Sequence, residues 1–190
     1  MSKAYTPVAI SLHWVLAIML LGMVFMGWYM EDLREELLSG GAVTLQEVQF
    51  TYNAHKTVGL IILALSLFRL VWRLTHPGPG LPEGMKPWEK TVATGTHWAF
   101  YAIMIGMPLG GWMAASASPF PTLLFNNPDL VLPKLPVPQS QELEEQLGSA
   151  HGAGGWAILV LTALHVGAAL KHQFFDRDNL LGRMLPFLKG

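Results

Sequence analysis

Residues 148–171 read GSAHGAGGWAILVLTALHVGAALK, an uncharged run that ends at Lys171 and carries histidines at positions 151 and 165. Roughly 20 apolar residues are enough to carry a helix across a bilayer. A histidine inside such a segment is costly and marks a functional position by default. His165 follows His151 by 14 residues, which is about 21 Å of helix rise and almost four whole turns. Fourteen steps of roughly 100° bring both side chains to one face. One membrane helix therefore presents two imidazoles on one stripe, near opposite surfaces.

Outward from this stretch, Asp, Glu, Lys and Arg are also missing from 4–30, 57–68 and 91–128. Only 13% of the 190 residues are charged, about half the share of a soluble domain. Four spans follow, at about 8–30, 51–73, 93–117 and 148–170, in one membrane domain over 1–190. The fold expected is an all-α integral membrane protein, an up-down bundle of four transmembrane helices. The first window has one Lys before it, exceeds a signal-peptide core in length and lacks a small-residue cleavage site before Glu31. It is expected to be a permanent span. With no Cys, disulfides, iron–sulfur clusters, thiolate ligands and covalent c-type haem attachment are excluded. A net charge of −1 predicts no nucleic-acid partner.

The distribution of cations orients the bundle. Lys3, Arg69, Arg73, Lys86, Lys90, Lys171, Arg177, Arg183 and Lys189 fall on the side that receives both termini; Arg34, Lys56 and Lys134 fall on the other. Nine against three places both termini in the cytoplasm. The acids run the other way, so the outer side sums to −6 and the inner to +5. The Pro/Gly-rich 74–92 segment links two helices. Residues 118–147 form a Pro-rich outer loop with a short helical run near Glu142. Pro108 is expected to kink the third span. The tail after Lys171 has an amphipathic pattern suited to the inner surface.

The chain repeats internally. HWVLAIMLLGMVFMGW (13–28) aligns with HWAFYAIMIGMPLGGW (97–112), pairing His13/His97, Trp14/Trp98, Gly22/Gly106, Met23/Met107, Gly27/Gly111 and Trp28/Trp112. A second offset pairs His55/His151, Gly59/Gly155, Leu63/Leu159, Leu65/Leu161 and His76/His172. This is a helical hairpin used twice in the same orientation, with a cofactor site expected between the halves.

Five of the seven histidines lie in spans: His13, His55, His97, His151 and His165. His13 and His97 fall near the inner face, and His55 and His151 near the outer. Neutral imidazoles suit iron, copper or zinc, but zinc ordinarily adds carboxylate or Cys ligands, which no span supplies. Two stacked haems, each held by two imidazoles from different helices, match the two levels. Symmetry alone pairs His13 with His97 at the inner level. Lys56 and Arg34 outside, and Arg69, Arg73, Lys171 and His172 inside, are cations placed for haem propionates.

SLHW at 11–14, AHKTVG at 54–59, the Arg69–Arg73 spacing, HGAGG at 151–155 and the LH…LKHQFFDRDNLLGRM ending resemble the prokaryotic cytochrome b561 family of four-helix, di-haem b membrane proteins. The fold is also similar to that of the cytochrome b subunits of membrane hydrogenases and formate dehydrogenases. The resemblance implies two haem b groups with iron axial ligands His55 and His151 outside and His13 and His165 inside. His97 is then an alternative ligand or a quinone-site candidate. It further implies transmembrane electron transfer from an outer reductant to membrane quinone, superoxide:ubiquinone oxidoreduction included. An anionic substrate needs a positive mouth, for which Lys56 and Lys134 are the outer candidates. Two other readings stand beside this one: a haem-b subunit of a larger membrane oxidoreductase whose acidic outer loops dock a soluble electron donor, and a haem-free bundle. The partners expected are membrane lipid, quinone and such a donor.

Overall fold

The computed structural model describes residues 4–185; Lys3 and Lys189, counted above, and the last residues of the tail lie outside this range. Four long helices dominate: α1 (Pro7–Leu38), α2 (Leu45–Thr75), α3 (Pro87–Ala117) and α4 (Gln141–Lys171). All four are long and apolar enough to cross a membrane. Three of the four start at a residue whose side chain accepts from a first-turn N–H group. Thr6 Oγ1 accepts from the Ala9 amide with Pro7 at the first helical position. Thr44 and Glu47 form a reciprocal capping box on α2. Ser140 Oγ accepts from the Leu143 amide on α4.

The helices overrun the apolar windows at the end that carries the α1–α2 and α3–α4 connections, here called the loop end; the other is the terminal end. The run near Glu142 is the first turn of α4 itself, and α3 continues through Pro108. Neighbouring helices pack in the order α1, α2, α3, α4, while α4 touches α1 only sparsely. The core is a narrow column at mid-depth: Leu16, Leu20, Val24, Ile62, Tyr101, Met104 and Ile158. Ile158 is the buried residue of α4, while α3 packs along the same helix and Leu159 rests partly buried against the column. Such an inside-out economy of burial is expected where lipid, rather than water, bathes the outer surface.

Beyond Lys171 the chain makes a π-helical turn, His172–Asp176, and a 3₁₀ turn, Leu181–Arg183. The tail folds back on the bundle: Trp14 Nε1 donates to the Met184 carbonyl at 3.0 Å and Arg183 Nη1 to the Gly80 carbonyl at 2.6 Å. At the loop end, residues 118–140 pack down onto α2 and α3, with one antiparallel bridge between Leu123 and Val131.

The α3–α4 contact depends on Gly154, where an added Cβ would fall on the Met107 thioether. Gly154→Leu is expected to lower stability by about 1–3 kcal/mol, the cost of overpacking. A lower melting temperature in detergent checks this; unchanged melting would show that Met107 simply moves aside.

Candidate functional site

The bundle brings the five predicted histidines together at two levels. At the loop end, His55 on α2 faces His151 on α4 across the bundle, with ring centroids 6.0 Å apart at 70°. At the terminal end, His13 on α1 faces His165 on α4 at 6.2 Å and 57°. His97 on α3 approaches the same His165 at 5.6 Å, and Phe100 packs edge-on against it at 5.4 Å. The repeat therefore survives in the helices but breaks at this level, where three imidazoles meet rather than two.

The two levels differ in polar surroundings. His55 and His151 each keep a buried Nδ1 with no hydrogen-bond partner. An unpaired buried polar atom costs about 1–3 kcal/mol, so two on facing rings mark a place built for a group that binds nitrogen. At the terminal end, Arg69 Nη2 donates to His13 Nδ1 at 3.1 Å. A guanidinium has only donors, so His13 carries its proton on Nε2 in this arrangement. The Arg69 and Arg73 guanidinium groups lie 5.8 and 5.5 Å from the Tyr101 ring, and Arg73 lies 5.7 Å from the Trp98 ring.

Glycines shape the loop-end level. Gly27 of α1 leaves only 3.8 Å between an added Cβ and His55 Cε1, and Gly111 of α3 only 3.1 Å to His151 Cε1. These are the two glycines that the internal repeat pairs, so the duplicated hairpin places a side-chain-free patch against each ring. The sequence displayed the coincidence, but its meaning needs the helix neighbours. Gly59 and Gly155, one turn beyond His55 and His151, instead meet Met23 and Val24.

Residues 4–187 match the family model described as prokaryotic cytochrome b561. The chain belongs to the prokaryotic cytochrome b561 family. It is 26% identical to cytochrome b561 homolog 2 of Escherichia coli (strain K12), over 96% of this chain and 92% of that one. It is 27% identical to cytochrome b561 homolog 1 of the same organism, over 96% and 97%. It is 25% identical to the probable superoxide oxidase CybB of Yersinia pestis, over the full length of both. Family membership brings membrane electron transfer and haem b binding, and with the four spans it fits a multi-pass protein of a bacterial inner membrane.

The residues present fit such a group. A metal–imidazole bond is about 2 Å, so two rings holding one iron from opposite sides stand roughly 6 Å apart between centroids. Both facing pairs are at that spacing. The orphaned nitrogens and the glycine patch supply ligand atoms and room at the loop end. Some other polar residues have roles outside these levels. His76, the repeat partner of His172, stacks on Trp72 at 3.9 Å. His172 is buried against Asp176 and Asp178, while Lys171 bridges Glu89 and Asp176. An open cleft of about 480 Å³ on α3 is lined by Lys90, Thr91, Thr94, Gly95 and Trp98.

The Gly111 spacing separates two outcomes. Gly111→Leu is expected to push the His151 ring aside and to lower haem content per chain, whereas Gly27→Ala, meeting His55 at ordinary contact distance, keeps it. Pyridine haemochrome assay of both variants checks this, and equal haem in both would remove the glycine patch from the site.

Proposed function

We propose that this chain is one membrane domain carrying two haem b groups, which moves electrons between a reductant at the outer face and the membrane quinone pool. The observation that carries the reading is the pair of facing imidazoles at two levels, 6.0 and 6.2 Å apart, sharing α4. His55 and His151 would hold the loop-end haem, and His13 and His165 the terminal-end haem. Each haem, when bound, would supply a one-electron iron couple suited to outer-sphere transfer rather than oxygen activation. Were His13 to hold the group through Nε2, its proton would sit on Nδ1, and Arg69, which donates to that atom here, would be free for a propionate.

Between the levels lies the apolar column of Leu16, Leu20, Val24, Ile62, Met104 and Ile158, which Tyr101 completes. Electrons would cross this column between the two levels. Any proton that accompanies quinone reduction is taken up at the terminal end. His97, beside His165, is the proposed hydrogen-bond partner of the quinone head group. Trp98 lines the neighbouring cleft and stands 5.9 Å from Tyr101. With nine cations on the terminal side, we place both termini in the cytoplasm. The relative named as a probable superoxide oxidase makes superoxide one donor to test; at the loop end, Lys134 donates to the Ser118 carbonyl and Lys56 lies over Tyr52.

A second reading, a haem-b subunit that receives electrons from a soluble protein, is favoured by the acidic helix ends beyond the apolar spans, with Glu31, Glu35, Glu36, Glu142, Glu144 and Glu145. Quinone reduction by the isolated protein separates the two.

The pyridine haemochrome assay is expected to give two haems per chain, one in His55→Ala or His151→Ala, and one in His13→Ala or His165→Ala. A wild-type ratio near one would sink the two-site reading. His97→Ala is expected to retain both haems with unchanged spectra while slowing oxidation of the pre-reduced protein by a short-chain quinone. Loss of a haem would instead make His97 a ligand, and unchanged kinetics would remove it from the quinone site.

A further inference from the structure

Residues 120–131 form a small hairpin that descends along α2 instead of standing clear of the bundle. Two buried side chains of α2 hold it: Asn53 Oδ1 accepts from the Leu123 amide at 3.1 Å, and Thr57 Oγ1 accepts from the Phe125 amide at 3.0 Å. Asn126 Nδ2 donates to the Phe50 carbonyl at 3.1 Å. The hairpin then closes on itself through Leu124 N to Leu130 O, Leu130 N to Asn127 O and Leu132 N to Thr122 O. Holding this shape places Phe125 and Asn126 at φ of +54° and +55°, a left-handed conformation that costs a bulky residue such as Phe about 1–3 kcal/mol. So much fixed bonding satisfies the amides that a loop would otherwise expose to water.

The depth of the hairpin can be read along the helices. Trp14 to Trp28 on α1 and Trp98 to Trp112 on α3 are each 14 residues, about 21 Å. Those tryptophans stand as two belts, and Trp28 meets Trp156 of α4 at 5.1 Å on the loop side. Gly27, next to Trp28, lies against His55 of α2, with 3.8 Å from an added Cβ to the ring, and Thr57 is two residues further along α2, about 3 Å. The Phe125 amide therefore lies within one helical turn of the loop-side tryptophan belt, the height at which aromatic rings sit among lipid headgroups. At this height the hairpin turns apolar side chains outward: Phe120, Phe125, Leu130 and Val131 are 62%, 68%, 47% and 52% exposed. Phe50, exposed on the adjoining turn of α2, continues the same surface. Asp129 shares the turn, and a carboxylate belongs among headgroups rather than in hydrocarbon.

We propose that the 120–131 hairpin is a membrane anchor, with Phe120, Phe125, Leu130 and Val131 seated in the headgroup–acyl boundary of the loop-side leaflet. Its occupant is lipid. Continuity with the lipid-facing side of α2, the depth of Thr57 and the internally satisfied backbone all favour a lipid boundary over an aqueous docking face. The hairpin thereby closes the lipid side of the bundle beside His55 and leaves the acidic helix ends as the water-facing part of this end. The inference depends only on the membrane spans.

The chain has no Cys, so a single introduced thiol can carry a nitroxide label. Phe125→Cys and Val131→Cys would be labelled in the haem-loaded protein in phosphatidylcholine vesicles, with Ile18→Cys as the lipid-facing reference and Glu35→Cys as the aqueous one. Collision with oxygen and with a water-soluble nickel chelate is read by electron paramagnetic resonance. The label at 125 is expected to meet oxygen nearly as often as the one at 18, and nickel several-fold less often than the one at 35. Nickel access equal to that at 35, as for a face kept free for a soluble protein, would overturn the proposal. So would protection from both reagents, which would place the residue against protein. If Phe125→Cys alters the haem spectrum, the label at 131 decides by the same criteria.

Discussion

A bilayer gives a polar atom no water to bind, and the whole of this structure follows from that shortage. Backbone groups answer it by closing four long helices. At the loop end, where the chain must turn, the side chains of Asn53 and Thr57 stand in for solvent. The imidazoles answer it only in part. His13 has Arg69, whereas His55 and His151 keep buried nitrogens with nothing to bind. Ser66, Gln173 and Asp178 also keep a buried atom without a partner, but only at the loop end do two such atoms belong to facing rings.

The same shortage makes the two ends unlike. Arg69, Arg73, Tyr101, Trp98 and His97 gather around the terminal-end pair, which gives that level cations, a phenol and a third imidazole. The loop-end pair is bordered by Gly27 and Gly111 and by little that is charged. Each hairpin contributes one histidine to each facing pair, so it is the two ends, not the two hairpins, that differ. His76 and His172, equivalent in the repeat, now have an aromatic partner and a carboxylate partner respectively.

Much of this was legible in the residues. Long uncharged windows announce spans because lipid tolerates little else, and a 14-residue spacing of histidines fixes both face and separation on α4. Helix ends were less legible: Glu31–Leu38 and Gln141–Leu147 are polar, so their helical continuation depends on neighbours and caps rather than on hydropathy. The sequence placed His97 at the level of His13 and His165, but its contact with His165 depends on how α3 and α4 are rotated against each other, which symmetry alone does not fix. The hairpin at 120–131 was read only as a Pro-rich loop. Its shape is dictated by hydrogen bonds to residues some 70 positions away in the chain, beyond any local pattern. Gly27 and Gly111 were visible as repeat partners, yet only the packed bundle reveals which rings they face.

Ile158 lies seven residues from His151 and seven from His165 and is the buried residue of α4. Two helical turns extend from it in each direction, and α3 packs along the same helix. One stiff rod thus carries an imidazole to each membrane level. The separation of those two rings is set by helix rise alone, so a shift of α4 along its axis would carry both rings together and neither level could be repositioned without the other.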